Sequence, residues 1–236
     1  MKTIGLIGGM SWESSIEYYR IINELARKRF GGLHSAKCIM YSYDFDQIAS
    51  AQRSDDWEGL TNKLVSTARD LKSSGADFVI ICTNTMHKLA DDVQCRADIP
   101  VLHIADATGS KIKEKGLKKV ALLGTRYTME ADFYRERLTE RYGLDVIIPG
   151  EEDRNAVHSI IFDELCQGTI KPSSKEKLQQ IIQSLVSRGA EGVILGCTEI
   201  PLIIKQEDVD VPVFDTTQIH AEAAINMAID ENLLFS

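Results

Sequence analysis

The sequence predicts an α/β protein made of two similar lobes with mainly parallel sheets. Short runs of Ile, Val and Leu alternate with longer amphipathic stretches along the 236 residues. Such runs are typical of strands buried on both faces, and their alternation with helical patterns favours parallel sheets. An internal repeat divides this pattern into two halves, which indicates two lobes with a shared plan.

Eight short runs are predicted as strands, because they are rich in Ile and Val and mostly apolar throughout, as strands buried on both faces should be. They are Ile4–Ile7, Cys38–Tyr41, Phe78–Ile81, Val101–His103, Val120–Leu123, Val146–Ile148, Val193–Leu195 and Val213–Phe214. Longer stretches with helical periodicity separate them. The clearest are Ser14–Lys28, Trp57–Leu71, Met129–Tyr142 and Lys175–Leu185.

Three pairs of segments carry the internal repeat. The pairs are residues 2–9 with 118–125, residues 73–81 with 187–195, and residues 100–103 with 212–215. They occur in the same order at nearly constant spacing, which chance does not readily produce. We therefore expect two lobes related by a pseudo-twofold axis, with the last helix packed on the first lobe. The predicted lobes are residues 1–105 plus 216–236, and residues 106–215.

The repeat also predicts which residues stand at equivalent strand ends, where open α/β sheets bind ligands. It aligns Thr83-Asn84-Thr85 with Cys197-Thr198-Glu199. Each trio is expected to close a strand and open a helix, whose free amides attract a carboxylate. In a cleft between the lobes, Thr83 and Cys197 would then lie on opposite sides of one bound molecule.

Groups on opposite sides of a carbon suit the inversion of a stereocentre, because one face loses a proton and the other gains one. A thiol fits this role, since its usual pKa of about 8.5 falls toward neutrality near a helix N-terminus or a cation. The alternative interpretation of Cys197 is a small buried apolar residue. Its place in the repeat, opposite Thr83, favours the catalytic interpretation.

Composition excludes several other classes of protein. The net charge is −8 without a long basic run, so we expect no nucleic-acid surface. The N-terminus reads as a strand and turn rather than a signal peptide, and no apolar run is long enough for a membrane span. Five widely spaced cysteines without a C-x-x-C or a metal-ligand pattern predict a reduced, cytoplasmic protein without metal.

Cofactor motifs are absent from the sequence as well. The turn Gly5–Gly9 lacks the G-x-G-x-x-G spacing of dinucleotide sites, and no phosphate-loop Gly-Lys-Ser/Thr occurs. We therefore expect no cofactor.

Four segments resemble the aspartate/glutamate racemase family, and look closest to its aspartate/glutamate and broad-specificity amino-acid members. They are Gly5–Ser11, Cys82–His87, Leu123–Thr128 and Gly196–Glu199. The resemblance spans nearly the whole chain. It implies two Rossmann-like lobes, an active site in the interlobe cleft, an amino-acid substrate, no cofactor, a pair of catalytic thiols and a homodimer.

The sequence departs from the family pattern at one of the two thiols. The usual Cys-Asn-Thr is replaced by Thr83-Asn84-Thr85, and Cys82 lies one residue earlier. Neighbouring strand residues point to opposite faces, and the repeat aligns Cys82 with Gly196. We therefore favour Thr83 as the residue facing Cys197, with Cys82 as the alternative. Because a hydroxyl is a far weaker acid than a thiol, unequal action on the two enantiomers is expected.

The resemblance also implies a set of substrate-binding residues. They are Met10, Ser11, Gln52, Asn84, Thr85, Thr125, Thr128, Thr198 and Glu199. Asn84, Thr85 and Thr198 are expected to hold the α-carboxylate. Either Gln52 or Arg53 would meet the substrate side chain, the first implying broader selectivity and the second favouring acidic substrates. His87, one helical turn after Thr83, has either a tuning role or a structural one.

The function predicted from the sequence is therefore cofactor-independent racemisation of aspartate, glutamate or a broader set of amino acids. Cys197 would exchange the Cα proton, with Thr83 on the opposite face. A decarboxylase of the same superfamily that uses one thiol is an alternative. So is an amino-acid-binding protein without catalysis.

Overall fold

The computed structural model describes residues 1–229 and divides into two units. One unit comprises Met1–Ile104 with the segment that begins at His220, and the other comprises Ala105–Ile219. The predicted boundaries lay at residues 105 and 216, and residues 230–236 of the predicted first lobe lie outside the described residues. The lobe boundaries that the repeat gives stay a prediction.

The first unit has a parallel sheet of three strands in the order β2-β1-β3. The strands are β1 (Ile4–Gly8), β2 (Cys38–Ser42) and β3 (Phe78–Ile81). Ile4 is paired with Cys38 on one side and with Phe78 on the other. Every residue of β1 and β3 is buried, as the continuous apolar runs predict, whereas the edge strand β2 is partly exposed.

Helices cover both faces of this sheet. The first unit contains α1 (Trp12–Phe30), α2 (Phe45–Arg53), α3 (Trp57–Ser73), α4 (Ala90–Ala97) and most of α10 (Thr216–Ile229). Alternate residues of one strand enter different cores, since side chains alternate across a strand. Ile7 packs with Leu64 of α3, whereas Leu6 packs with Tyr18 of α1 and Ala224 of α10. The last helix therefore packs on the same face of this sheet as α1.

The second unit repeats this plan with one more strand. Its strands are β4 (Lys119–Gly124), β5 (Asp145–Ile147), β6 (Val193–Gly196) and β7 (Val213–Asp215), all parallel, in the order β5-β4-β6-β7. In both units the first strand lies between the second and the third. The predicted fold class is confirmed, and the repeat corresponds to this common strand order.

The helices of the second unit pack around this sheet. They are α5 (Ile104–Glu114), α6 (Arg126–Glu130), α7 (Asp132–Tyr142), α8 (Glu151–Ser159) and α9 (Pro172–Ser187). α8 continues into a π-helical turn, Ile160–Glu164, and then a 3₁₀ turn, Leu165–Gln167. The guanidinium of Arg137 donates to both carboxylate oxygens of Asp106 at 2.8 and 2.7 Å, which ties α7 to α5.

Three predicted elements are wrong. Val101–His103 is not a strand: Val101 forms a single bridge with Val79, and α5 begins at Ile104. The predicted helix Met129–Tyr142 is interrupted at Ala131, whose extended backbone (ψ 143°) separates α6 from α7. The strand-end trios do not open regular α-helices, because 3₁₀ turns follow them at Thr85–Leu89 and Ile200–Leu202.

Gly9→Ala is expected to destabilise the first lobe. Gly9 has φ +78°, and a Cβ there would lie 2.2 Å from the backbone N and O of Tyr43. Left-handed backbone alone costs a residue with a Cβ about 1–2 kcal/mol, and the overlap adds to that cost. Gly143→Ala is the control, because Gly143 has left-handed backbone (φ +66°, ψ +28°) and open space around the Cβ position. Urea unfolding should show the larger loss for Gly9→Ala, and equal losses would contradict the close contact.

Candidate active site

The turn after β1 is tied to the end of β3 by two serines of α1. The amide of Gly9 donates to Ser15 Oγ at 2.8 Å, and Ser15 Oγ donates to the Ser11 carbonyl at 3.0 Å. Ser14 Oγ donates to the Cys82 carbonyl at 2.7 Å. Met10 and Ser11 are buried in this turn, and the Ser11 side chain caps α1. The structure therefore brings Met10 and Ser11 to the sheet edge where β3 ends.

Cys82 and Thr83 differ in environment at the end of β3. The Cys82 amide still bonds to the Ile7 carbonyl at 2.9 Å, and its side chain is completely buried in the core beneath α1. Burial raises the pKa of the Cys82 thiol well above its usual value. Thr83 is partly exposed. These surroundings favour Thr83 over Cys82 as a group that meets a substrate, a choice that stays a prediction.

Gln52 and Arg53 take different directions at the end of α2. Gln52 is buried, and its Nε2 contacts the sulfur of Met86 at 3.2 Å, within the 3₁₀ turn that follows Thr83. The Arg53 side chain is 63% exposed and lies 3.8 Å from the carboxylate of Asp46. Gln52 is therefore the one that lies against the strand-end turn, together with the buried Asn84 and Thr85.

Two glycines bring the strand ends of the second lobe close together. Gly124 of β4 is paired with Gly196 of β6, and a Cβ on Gly124 would lie 2.7 Å from the Gly196 carbonyl oxygen. Thr125 begins α6 as its N-cap, and its Oγ1 accepts from the Thr128 amide at 3.3 Å. Both threonines are buried. Thr125 and Thr128 thus open the first helix after β4, beside the end of the strand that leads to Cys197.

The Cys197 thiol makes a direct hydrogen bond to a carboxylate. Cys197 Sγ donates to Glu199 Oε2 at 2.8 Å, and Thr198 Oγ1 donates to the same oxygen at 2.8 Å. Cys197 and Glu199 are each only 6% exposed, whereas Thr198 is partly exposed. Glu199, predicted to bind substrate, is therefore the hydrogen-bond acceptor for its two neighbours.

The expected fall of the thiol pKa toward neutrality is wrong. Burial raises the pKa of Cys197 well above its usual value, and the negative charge of Glu199 raises it further. The 3₁₀ turn after Glu199 has only three residues, Ile200–Leu202. Such a turn lacks the aligned dipoles with which a long helix stabilises a thiolate. Cys197 is consequently a protonated thiol poised beside a carboxylate that can accept its proton.

Sequence reasoning missed Ser14 and Ser15, which hold the first turn together. The sequence feature that could have identified them is a pair of small polar residues in the first turn of a predicted helix, at positions that face the sheet. Sequence reasoning also did not predict the contact of Glu199 with the Cys197 thiol, although a carboxylate two residues after a candidate base is visible in the sequence.

Residues 1–229 include no helix with the length and hydrophobicity that crossing a membrane requires. The same part of the chain has no group of three or more His, Cys, Asp or Glu side chains placed to hold a metal ion.

In each lobe the first strand lies between the second and the third, and a polar turn follows the third strand, which defines a duplicated α/β protein. The family model for Asp/Glu/hydantoin racemases matches residues 7–224, and the chain belongs to this family. The resemblance read from the sequence is confirmed.

Individual relatives agree with this assignment. The broad specificity amino-acid racemase RacX of Bacillus subtilis is 24% identical over 94% of this chain and 96% of its own. A Yersinia pestis protein crystallised as a candidate Asp/Glu racemase is 52% identical, with a TM-score of 0.92 over 98% of this chain and 100% of its own. An aspartate racemase homologue from Pyrococcus horikoshii is 41% identical, with a TM-score of 0.85 over the same shares.

Proposed function

We propose that the protein is a cofactor-independent racemase of aspartate, glutamate or a broader set of amino acids. The observation that carries the proposal is the Cys197 thiol, hydrogen-bonded at 2.8 Å to Glu199 at the end of β6. Thr83 holds the equivalent place in the first lobe. The substrate would bind in a cleft between the lobes, with its Cα between these two side chains. The names of the relatives support an amino-acid substrate, the family resemblance supports a homodimer, and the widely spaced cysteines support a cytoplasmic location.

Cys197 would act as a base by passing its own proton to Glu199. As the Sγ–H proton moves to Glu199 Oε2, the sulfur becomes a thiolate and removes the proton from Cα. The ammonium group of the substrate would favour this step, because a nearby positive charge stabilises a thiolate. In the reverse step the thiol returns its proton to Cα, and the proton on Glu199 returns to sulfur.

Thr83 would deliver the proton on the opposite face with the help of a water molecule. A hydroxyl is a much weaker acid than a thiol, so delivery from this side should be the slow step. This difference supports unequal handling of the two enantiomers rather than loss of activity.

The remaining residues would bind and orient the substrate. Asn84, Thr85 and Thr198 would hold the α-carboxylate, and Thr125 and Thr128 would face it from the second lobe. Met10 and Ser11 would enclose the substrate from the first turn. Gln52, a neutral amide against the 3₁₀ turn that follows Thr83, would meet the substrate side chain and so favour a broader range than a cation would. Glu199 would contribute to the site indirectly, by accepting the proton of the Cys197 thiol.

The lack of a second thiol is the observation that favours a decarboxylase with one thiol, or a binding protein without catalysis. Parallel incubations in D₂O with single enantiomers of amino acids and with activated acids separate the three functions. A racemase incorporates deuterium at Cα of intact amino acids and forms the other enantiomer. A decarboxylase releases CO₂ from activated acids instead, and a binding protein does neither.

Thr83→Cys is expected to raise the rate of inversion at least about tenfold, because a thiol is a far better proton donor and acceptor than a hydroxyl. Chiral chromatography of aspartate and glutamate measures this rate. Cys82→Ala is the control and should keep the parental rate. If Thr83→Cys has no effect and Cys82→Ala removes activity, then Cys82 is the second base.

A further inference from the structure

Three buried histidines and a tyrosine cluster in the first unit, and the proposed function uses none of them. His87 is 2% exposed, His103 is 4% exposed, and His220 and Tyr18 are completely buried. The ring of His87 lies 4.7 Å from that of His103 and 5.4 Å from that of His220, measured between centroids. Burying polar rings is costly unless their nitrogens are hydrogen-bonded, so the arrangement of these bonds is informative.

The bonds of His220 determine its tautomer. Its Nε2 lies 2.8 Å from the Leu102 carbonyl, which can only accept, so Nε2 carries the proton. Burial lowers the pKa of His220 to about 4, so the ring is neutral at physiological pH. Its Nδ1 therefore has a free lone pair and accepts the Tyr18 hydroxyl at 2.8 Å. Tyr18, His220 and Leu102 form a chain with every donor assigned.

His87 contacts the backbone of Thr83. Its Nδ1 lies 2.7 Å from the Thr83 carbonyl, so Nδ1–H is the donor. On its other side, the Thr83 amide donates to the Ile81 carbonyl at 2.8 Å. Both backbone polar groups of Thr83 are thus held, and the direction in which its side chain leaves the backbone is set.

The second lobe has no counterpart of this contact. The repeat that aligns Thr83 with Cys197 aligns His87 with Pro201, a residue without a side-chain donor. The thiol side has a carboxylate at Glu199 instead. The histidine contact therefore belongs to the lobe that carries the Thr83 hydroxyl, not to the lobe that carries the Cys197 thiol.

We propose that His87 is a positioning residue that aims the Thr83 hydroxyl at the substrate by holding the Thr83 carbonyl through Nδ1–H. The rings of His103 and His220 pack against the ring of His87 and hold it in place. This inference rests on the proposed function, in which proton delivery from Thr83 is the slow step. A weak acid depends strongly on orientation, and a displacement of about 1 Å can cost about 10²-fold in rate.

Two variants of His87 separate positioning from packing. In His87→Asn the amide nitrogen takes the place of Nδ1 and keeps the donor, whereas in His87→Gln it lies one bond further out, near the place of Nε2. We expect His87→Gln to lower inversion about 10- to 100-fold and His87→Asn to recover most of that loss. Deuterium exchange with retained configuration, which needs Cys197 and Glu199 but not Thr83, should fall much less in His87→Gln. His34→Gln makes the same change at an exposed histidine and should leave both rates unchanged.

Equal losses of inversion and exchange in His87→Gln, or a His87→Asn variant as slow as His87→Gln, would overturn the proposal. If neither variant folds, ¹⁵N–¹H correlation spectra of the wild-type protein decide: the proposal requires the Nδ1–H tautomer at His87, and the Nε2–H tautomer would refute it. Failure of the wild type to exchange any Cα proton would refute the proposed function itself, which is a different outcome.

Discussion

Cys197→Ala is expected to abolish exchange of the Cα proton, with a loss of at least about 10³-fold, because the variant lacks the only thiol in contact with Glu199 among the described residues. The substitution removes a small side chain from a buried position, so the fold should persist. Binding of an amino acid should persist as well, because Asn84, Thr85 and Thr198 remain. Deuterium incorporation in D₂O, followed by NMR, measures the loss.

Cys166→Ala is the matched control for this variant. Cys166 is a half-buried thiol that packs against the same core as Cys197. We expect this variant to exchange at close to the parental rate. Parental exchange in Cys197→Ala, or complete loss in Cys166→Ala, would place the reactive thiol elsewhere.

Glu199→Gln is expected to change reactivity and thiol acidity in opposite directions. Burial of the thiol persists, but the carboxylate charge that also raises the pKa of Cys197 is removed, so this pKa should fall. The thiolate then appears at lower pH than in the wild type. Exchange at neutral pH should nevertheless drop by about 10²-fold, because an amide cannot accept the thiol proton.

Two measurements test this prediction together. Thiolate absorbance near 240 nm, referenced to Cys197→Ser, gives the pKa of Cys197, and a pH–rate profile gives the form that reacts. In Glu199→Gln the exchange rate should rise with pH as the thiol ionises, since the thiolate is then the active base. Glu207→Gln, the same change at an exposed position of the second lobe, is the control. Faster exchange in Glu199→Gln at all pH values would mean that Glu199 only suppresses the thiolate.

The sequence predicts most of the strands and their ends well, because both follow from local patterns of residues. Continuous apolar runs identify β1, β3, β4 and β6, and the repeat places Thr83 and Cys197 after equivalent strands. The interruption at Ala131 has no such signal, since alanine favours helices and neither glycine nor proline is nearby. The strand predicted at Val101 is apolar enough, but only one bridge to Val79 forms before α5 begins.

The chemistry of the candidate site is harder to predict than its location. The pKa of Cys197 depends on how deeply the thiol is buried and on where the Glu199 carboxylate points, and neither follows from residue order. The contact of His87 with the Thr83 carbonyl depends on a 3₁₀ turn between Thr85 and Leu89, where sequence reasoning expects an α-helix. Gln52 and Arg53 are adjacent in the chain, and only the packing of α2 decides which one is buried.

The central claim is that unlike acid–base groups, Cys197 and Thr83, lie on opposite faces of Cα. The most direct test incubates wild-type protein with each pure enantiomer of aspartate or glutamate in D₂O and measures label and configuration together. Because the enantiomers have equal free energy, kcat/KM for inversion must be the same in both directions. The two enantiomers should therefore differ in how fast their Cα proton is exchanged for deuterium without inversion. The enantiomer whose Cα proton faces Cys197 should acquire deuterium with retention faster than it inverts. In the reaction of its mirror image, the unreacted enantiomer should stay unlabelled, and deuterium should appear only in the inverted product. Identical behaviour of the two enantiomers would contradict the account.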